Sequence, residues 1–277
     1  KLCSGCHTNA AFIRSYNPAL PVDQPEKYRT SVHGVRNAKG DRKAAGCASC
    51  HGGHDILPAR DVKSRVHALN LPATCARCHG DAAYMKEYGI PTDQFAQFEK
   101  SVHSRLVTKT EKELPVCNDC HTAHTIRRTD EQGFRLEIMQ QCGRCHEQIA
   151  ETYFDTYHGK VSQLGYTKTA KCFDCHGAHD ILSVSDPGSH LSHNNVLETC
   201  QKCHPSATRR FAGYLTHATH HDPKKYPFLF WTFWGMTSLL VGTFVLGGVH
   251  TVLWLPRALK IRRAFRMRSK PPDEAAS

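Results

Sequence analysis

Apolar residues are scarce in this chain of 277 residues. They make up 40% of it, and mean hydropathy is −0.49 even with one long greasy segment in the average. What is left for the remainder is too little for an ordinary core. Cysteine outside a pair is missing altogether. All fourteen cysteines fall into seven pairs with two residues between partners, and His follows every pair at once. That pattern excludes a disulfide-stapled secreted domain and a plain globular enzyme. Acidic residues are also outnumbered, 25 against 36 Lys and Arg, for a net charge of +11 and a pI near 9.0. Taken bare, that excess points to nucleic acid or an acidic partner.

The seven motifs are Cys3–His7, Cys47–His51, Cys75–His79, Cys117–His121, Cys142–His146, Cys172–His176 and Cys200–His204. Their thiols are Cys3 and Cys6, Cys47 and Cys50, Cys75 and Cys78, Cys117 and Cys120, Cys142 and Cys145, Cys172 and Cys175, and Cys200 and Cys203. A three-residue step puts both thiols of a pair on one helical face. There they reach the two vinyl groups of a single porphyrin. The His directly after reaches under the ring to give iron its proximal nitrogen. Zinc knuckles use CxxC pairs two at a time. Seven is an odd number, and zinc gives no reason for a His after each pair. Seven covalently bound haem c groups are therefore expected.

The cofactor changes the charge argument. The stretch Arg257 to Ser277 holds seven basic and two acidic residues, so it carries +5 alone and the rest carries +6. Seven haems bring roughly −14 in propionates, and each oxidised iron returns about one positive charge. The loaded domain is then near neutral when oxidised and acidic when reduced, and no nucleic-acid binding is expected.

A repeat underlies the motifs. His33, His103 and His158 each lie 14 residues before a CxxCH, within Ser31-Val32-His33-Gly34, Ser101-Val102-His103-Ser104 and Thr156-Tyr157-His158-Gly159. A second His then comes at a fixed offset: His54 after His51, His124 after His121, His179 after His176. Asp55-Ile56-Leu57 echoes Asp180-Ile181-Leu182. A second CxxCH starts 28, 25 and 28 residues after the first. One unit is thus His, CxxCHxxH, CxxCH, and holds two haems. Three such units come after a lone motif at Cys3, which reads as the end of an earlier half-unit.

Residues 1 to about 222 resemble the multihaem c-type cytochromes built on doubled CxxCH motifs. The stretch from Phe230 to Pro256, ending in His250-Thr251-Val252-Leu253-Trp254-Leu255-Pro256, is similar to the anchor helix that adjoins b-type cytochrome domains in some respiratory proteins. Haem attachment in the first family takes place outside the cytoplasm.

Seven His are proximal, and bis-His coordination asks for seven more. The repeat supplies His33, His103, His158, His54, His124 and His179. The seventh is expected from His217, His220 or His221. By position, His33, His103 and His158 are assigned to the haems of His7, His79 and His146, and the His217 region to that of His204. His54, His124 and His179 lie too near their own motifs and are expected to cap a neighbouring haem. His67, His190 and His193 lack counterparts in the middle unit and are read as surface or supporting residues. Met85 and Met139 are not needed as axial ligands.

Phe228 to Leu255 holds no Asp, Glu, Lys or Arg in 28 residues. A membrane helix needs about 20 apolar residues, so the segment spans with tilt to spare. Aromatic residues crowd its start, Trp254 marks its end, and Pro227 and Pro256 bracket it. A buried core helix is the competing reading, and it fails on length and on the basic cluster that adjoins the segment. Arg257, Lys260, Arg262, Arg263, Arg266, Arg268 and Lys270 come without an acid among them, which marks the cytoplasmic side and suits anionic lipid heads. No signal peptide is visible before Cys3, and an exported domain needs one, so its removal is expected. His250 falls at the cytoplasmic rim. It is either a solvated interfacial side chain or a contact to a partner's haem or quinone site.

The expected fold is mainly helical and irregular, with little sheet, haems as the core and one C-terminal transmembrane helix. The expected organisation is a heptahaem domain over 1–222, a membrane anchor over 223–256 and a basic tail over 257–277. The first comprises a half-unit at 1–30 and two-haem units at about 31–98, 99–154 and 155–222. Six-coordinate haems leave iron no open position, so the chain is expected to move electrons and do no bond chemistry. It would sit in the inner membrane with haems in the periplasm and C-terminus in the cytoplasm. There it would link an integral membrane partner, a cytochrome b or quinone-binding protein, to periplasmic electron carriers as a subunit of a respiratory complex. The rival reading is a multihaem reductase with one open-coordination haem. Haem storage is a third.

Overall fold

The structure is a computed structural model that describes residues 2–107, 115–213 and 217–268. It is helical and irregular, with no strand among the described residues. Two compact units emerge, Lys1–His217 and Ala218–Ser277.

The first unit is built from short helices, and the repeat in the sequence becomes a repeat of hydrogen bonds. Ser31, Ser101 and Thr156 each cap the helix that carries the next histidine. Their hydroxyls accept the N–H of Gly34 (3.0 Å), Ser104 (3.3 Å) and Gly159 (3.2 Å). This is the N-cap use of Ser and Thr, and it fixes where His33, His103 and His158 sit. Gly34 and Gly159 have a steric reason. A Cβ there would overlap the carbonyl of Tyr28 or Tyr153. Those same tyrosines donate their hydroxyls to the carbonyls of Ala45 (2.8 Å) and Ala170 (2.7 Å).

The helices Cys47–His51, Cys117–His121 and Cys172–His176 share a start and an end. At the start, Ser49 Oγ accepts the Gly46 N–H at 3.0 Å, and the carboxylates of Asp119 and Asp174 accept those of Val116 and Lys171 at 2.8 Å. At the end the chain turns through positive φ, at Gly52 (86°), Thr122 (64°) and Gly177 (84°). Glycine makes that turn without strain; Thr122 does not.

The connections between first and second motifs are more ordered than expected. In the first repeat, N–H groups of Asp61, Ser64, His67 and Asn70 each bond the carbonyl three residues back. In the third, Asp186, Ser189, Ser192 and Asn195 do the same. The result is a staircase of single turns. Asn70 and Asn195 close it, each amide donating to two carbonyls. Ser64 and Ser189 are buried inside it. The middle repeat replaces the staircase with the helix Gln132–Gly143.

Buried apolar side chains are few among the described residues: Ile13, Met85, Val116, Met139, Tyr153 and Ala207. Met85 and Met139 thus serve as packing.

The second unit contains a 42-residue helix, Pro227–Arg268. Its apolar stretch has a mean hydropathy of 1.7 and none of it is buried. It is long and apolar enough to cross a bilayer once. Pro256 lies inside it. A proline inside a helix removes one N–H and one bond, and the helix carries on through Arg257, Lys260, Arg262, Arg263 and Arg266. Lys270 lies outside the described residues.

Candidate functional site

Six histidine pairs run through the first unit. Ring centres are 6.0 Å apart for His33 and His79, 6.1 Å for His51 and His124, and 6.3 Å for His103 and His146. They are 6.0 Å apart for His121 and His179, 6.1 Å for His158 and His204, and 6.3 Å for His176 and His217. Every pair joins a motif histidine to one outside the motifs.

The spacing has a chemical meaning. Two metal–imidazole bonds of about 2 Å each, with roughly 1 Å from each nitrogen to its ring centre, set two axial rings about 6 Å apart. The residues present therefore fit a metal that takes one imidazole on each face. Burial lowers the pKa of His33, His51, His79, His103, His124, His158, His176 and His179, and pushes that of His121 down to about 4, with His179 and His79 adding to the effect. Burial thus favours the neutral form of these nine rings, the form that ligates metal.

All fourteen cysteines are free thiols. They succeed one another in space as in sequence. Cys3 lies within electrostatic reach of Cys47, Cys75 of Cys117, and Cys142 of Cys172. Cys50 lies within electrostatic reach of Cys78, Cys120 of Cys142 and Cys145, and Cys175 of Cys200 and Cys203. Burial pushes the Cys120 and Cys175 thiols up to about 11, so they stay protonated. The seven motifs thus form a single file.

Supporting groups surround the pairs. Phe134 stacks on His121 with ring centres 5.6 Å apart, beside a cavity of about 240 Å³ lined by Cys120, His121 and Ile138. Thr152 Oγ1 lies 3.0 Å from His217 Nδ1, which orients that ring. Asp180 holds His190 at 2.7 Å, and Asp55 holds Arg65 at 2.8 Å at the matching place in the first repeat. That explains why His190 has no histidine counterpart there. Sequence spacing gave no signal for Phe134 or Thr152. His67 Nδ1 accepts the Leu69 N–H at 3.3 Å, and His193 is exposed.

The pairing differs from the one read from sequence. His33, His103 and His158 face the second motif of their own unit, at His79, His146 and His204, instead of the motif before it. His217 faces His176, not His204. The rings of His124 and His179 face His51 and His121, each in the first motif of the preceding unit. His220 and His221 belong to the second unit, where the His220 ring lies 3.9 Å from His221 and 3.7 Å from Phe233. His7 and His54 are exposed, and among the described residues no ring stands opposite either.

No protein-family model, curated protein sequence or solved structure is similar to the chain.

Proposed function

We propose that this chain is a membrane-anchored heptahaem c-type cytochrome that conducts electrons. The observation that carries the proposal is the set of six histidine pairs at 6.0 to 6.3 Å, each built on a CxxCH. Cys3, Cys6 and the twelve cysteines after them would hold seven haems through thioethers, with the motif histidines as proximal ligands. His33, His124, His103, His179, His158 and His217 would be distal ligands. The bound haem supplies one-electron chemistry. For six of the seven haems the protein would supply an imidazole on each face, which leaves those irons no vacant position for a substrate. A single file of sites passes charge from one end to the other. The helix Pro227–Arg268 anchors it, and its basic end faces the cytoplasm by the positive-inside rule. A cytochrome b or quinone-binding membrane protein at one end and periplasmic carriers at the other complete the circuit.

The reductase reading has one feature in its favour, the lack of a ring opposite His7. An enzyme also needs a walled polar pocket there. The helix Leu2–His7 has no buried residue, so that reading is the weaker.

The test is the mass and spectrum of the matured protein. Seven covalent haems that survive acid–acetone extraction, predominantly low-spin, are expected. Five or fewer would refute the proposal.

A further inference from the structure

The third unit buries an ammonium that the proposed chemistry does not use. Lys171 is 1% exposed. Its Nζ donates to the carbonyls of Thr169 (2.5 Å), Tyr166 (3.2 Å) and Thr167 (3.3 Å). An ammonium has three N–H donors and no lone pair, so three carbonyls satisfy it. A neutral amine would turn its lone pair on one of them. Burial, with Arg135 adding to it, lowers the pKa of the group, and the three acceptors hold the proton in place. The carboxylate beside it is already taken. Asp174 accepts the Lys171 backbone N–H at 2.8 Å and pairs with Arg135 at 3.1 Å. Lys171, Asp174 and Arg135 therefore sum to one positive charge.

The matching loop of the first unit is built the other way round. Cys47 follows His33 by 14 residues and Cys172 follows His158 by 14, so Gly46 stands where Lys171 does. Both loops turn through positive φ, at Gly40 (91°) and Gly165 (87°). In both, a tyrosine hydroxyl donates to the carbonyl before that place, Tyr28 to Ala45 and Tyr153 to Ala170. Yet the first loop turns N–H groups inward, those of Lys43 (3.0 Å) and Ala44 (3.2 Å), onto the Asp41 carboxylate. The third turns carbonyls inward onto an ammonium. A loop of this length is thus pinned without a cation, and the fold alone does not call for one.

The surroundings of Lys171 do give the charge a use. It directly precedes Cys172, the first thiol of the His176 motif. It also lies within electrostatic reach of His158, whose ring faces His204. A buried charge is screened by salt and water much less than an exposed one. An oxidised haem carries one more positive charge than a reduced one, so a fixed cation nearby favours the reduced form.

We infer that Lys171 sets the reduction potential of the haem held by Cys172, Cys175 and His176, raising it so that an electron shared along the file favours that site. That haem is then reduced, and the neighbour that gave the electron is oxidised. Lys171 touches no reacting atom and acts through its field alone. The inference rests on the haem reading above. At an effective dielectric constant of about 20, a unit charge about 10 Å from a redox centre shifts its occupancy on the order of tenfold, which is about 59 mV for one electron.

The test uses the full chain with its haems attached. Covalent mass checks the haem reading by itself: a chain without seven haems fails that reading, whereas this inference stands or falls on the potential of a haem in place. His217→Ala marks the site by adding a high-spin signal at His176. Redox titration followed by electron paramagnetic resonance then reads the midpoint of that added signal. In this background Lys171→Gln and Lys171→Met should each lower it by about 59 mV, tenfold in occupancy, with haem content and spin states unchanged. Lys171→Arg keeps the charge and should hold the midpoint near its starting value. Lys168→Gln removes an exposed charge three residues away and should leave it alone. Unchanged midpoints in Lys171→Gln and Lys171→Met would overturn the inference. So would a shift in Lys171→Arg as large as theirs. Loss of the haem in all three Lys171 variants would overturn it too, because the ammonium would then be a folding contact and nothing more.

Discussion

A histidine here is defined by what stands opposite it. The repeat singles out His103 and passes over His67, and in the structure His103 faces a motif ring, His146, at 6.3 Å. Replacing His103 with Ala should convert one low-spin haem to high spin with covalent haem content unchanged, and His67→Ala should leave the spin count alone. Equal spectra from the two would remove the ground for the ring pairing. Thr122 is a second case. Its φ of 64° and ψ of 171° fall in a region that glycine alone enters freely, and a β-branched side chain fits it worst. Gly52 and Gly177 hold the same place in the other units. Thr122→Gly should raise stability by about 1 kcal/mol, visible as a higher thermal midpoint with the same haem spectrum. A lower midpoint would mean that the Thr125 hydroxyl's bond to Thr122 Oγ1, 3.0 Å, outweighs the strain.

At the scale of elements, legibility tracked the source of each signal. The motif helices could be read because CxxCH is local chemistry, and the span because 28 uncharged residues admit little else. The staircases at 58–70 and 183–195 could not. Their steps are backbone bonds around buried Ser64 and Ser189, which leave no apolar period in the sequence. The ring pairing was also hidden. Which histidine crosses to which motif depends on how one unit docks on the next, through bonds such as Val32 to Ile126, and chain distance does not encode that. The anchor helix makes a direct claim. Its apolar face has no cover in the structure, so bilayer is its natural solvent. Ending the chain before Pro227 should release a soluble red protein from membranes. Retention after high-salt washing would place the membrane contact in the first unit instead.

For the molecule as a whole, the scarcity of apolar residues and the scarcity of buried side chains are one fact. Ordering a residue costs about 1–2 kcal/mol of backbone entropy, and hydrophobic burial normally offsets it. Here only a handful of apolar side chains is buried among the described residues of the first unit, and its exposed ion pairs contribute little. Ten of the buried residues are polar, and Lys171, 1% exposed, sends its ammonium to the carbonyls of Tyr166, Thr167 and Thr169. Such groups keep the fold specific, but they do not drive collapse. The missing apolar surface must come from elsewhere, and seven porphyrins, six of them set between paired histidine rings, would supply it. Folding and cofactor attachment are then one event, as in small metal-dependent domains. Residues 1–222 made in a host that lacks haem attachment should therefore be unfolded, with little far-ultraviolet dichroism, rapid proteolysis and no cooperative thermal transition. The same segment matured with haem should be helical and resist protease. Should the haem-free segment melt cooperatively with native-like helicity, the polypeptide would hold its own core, and the claim that the cofactors form it would fail.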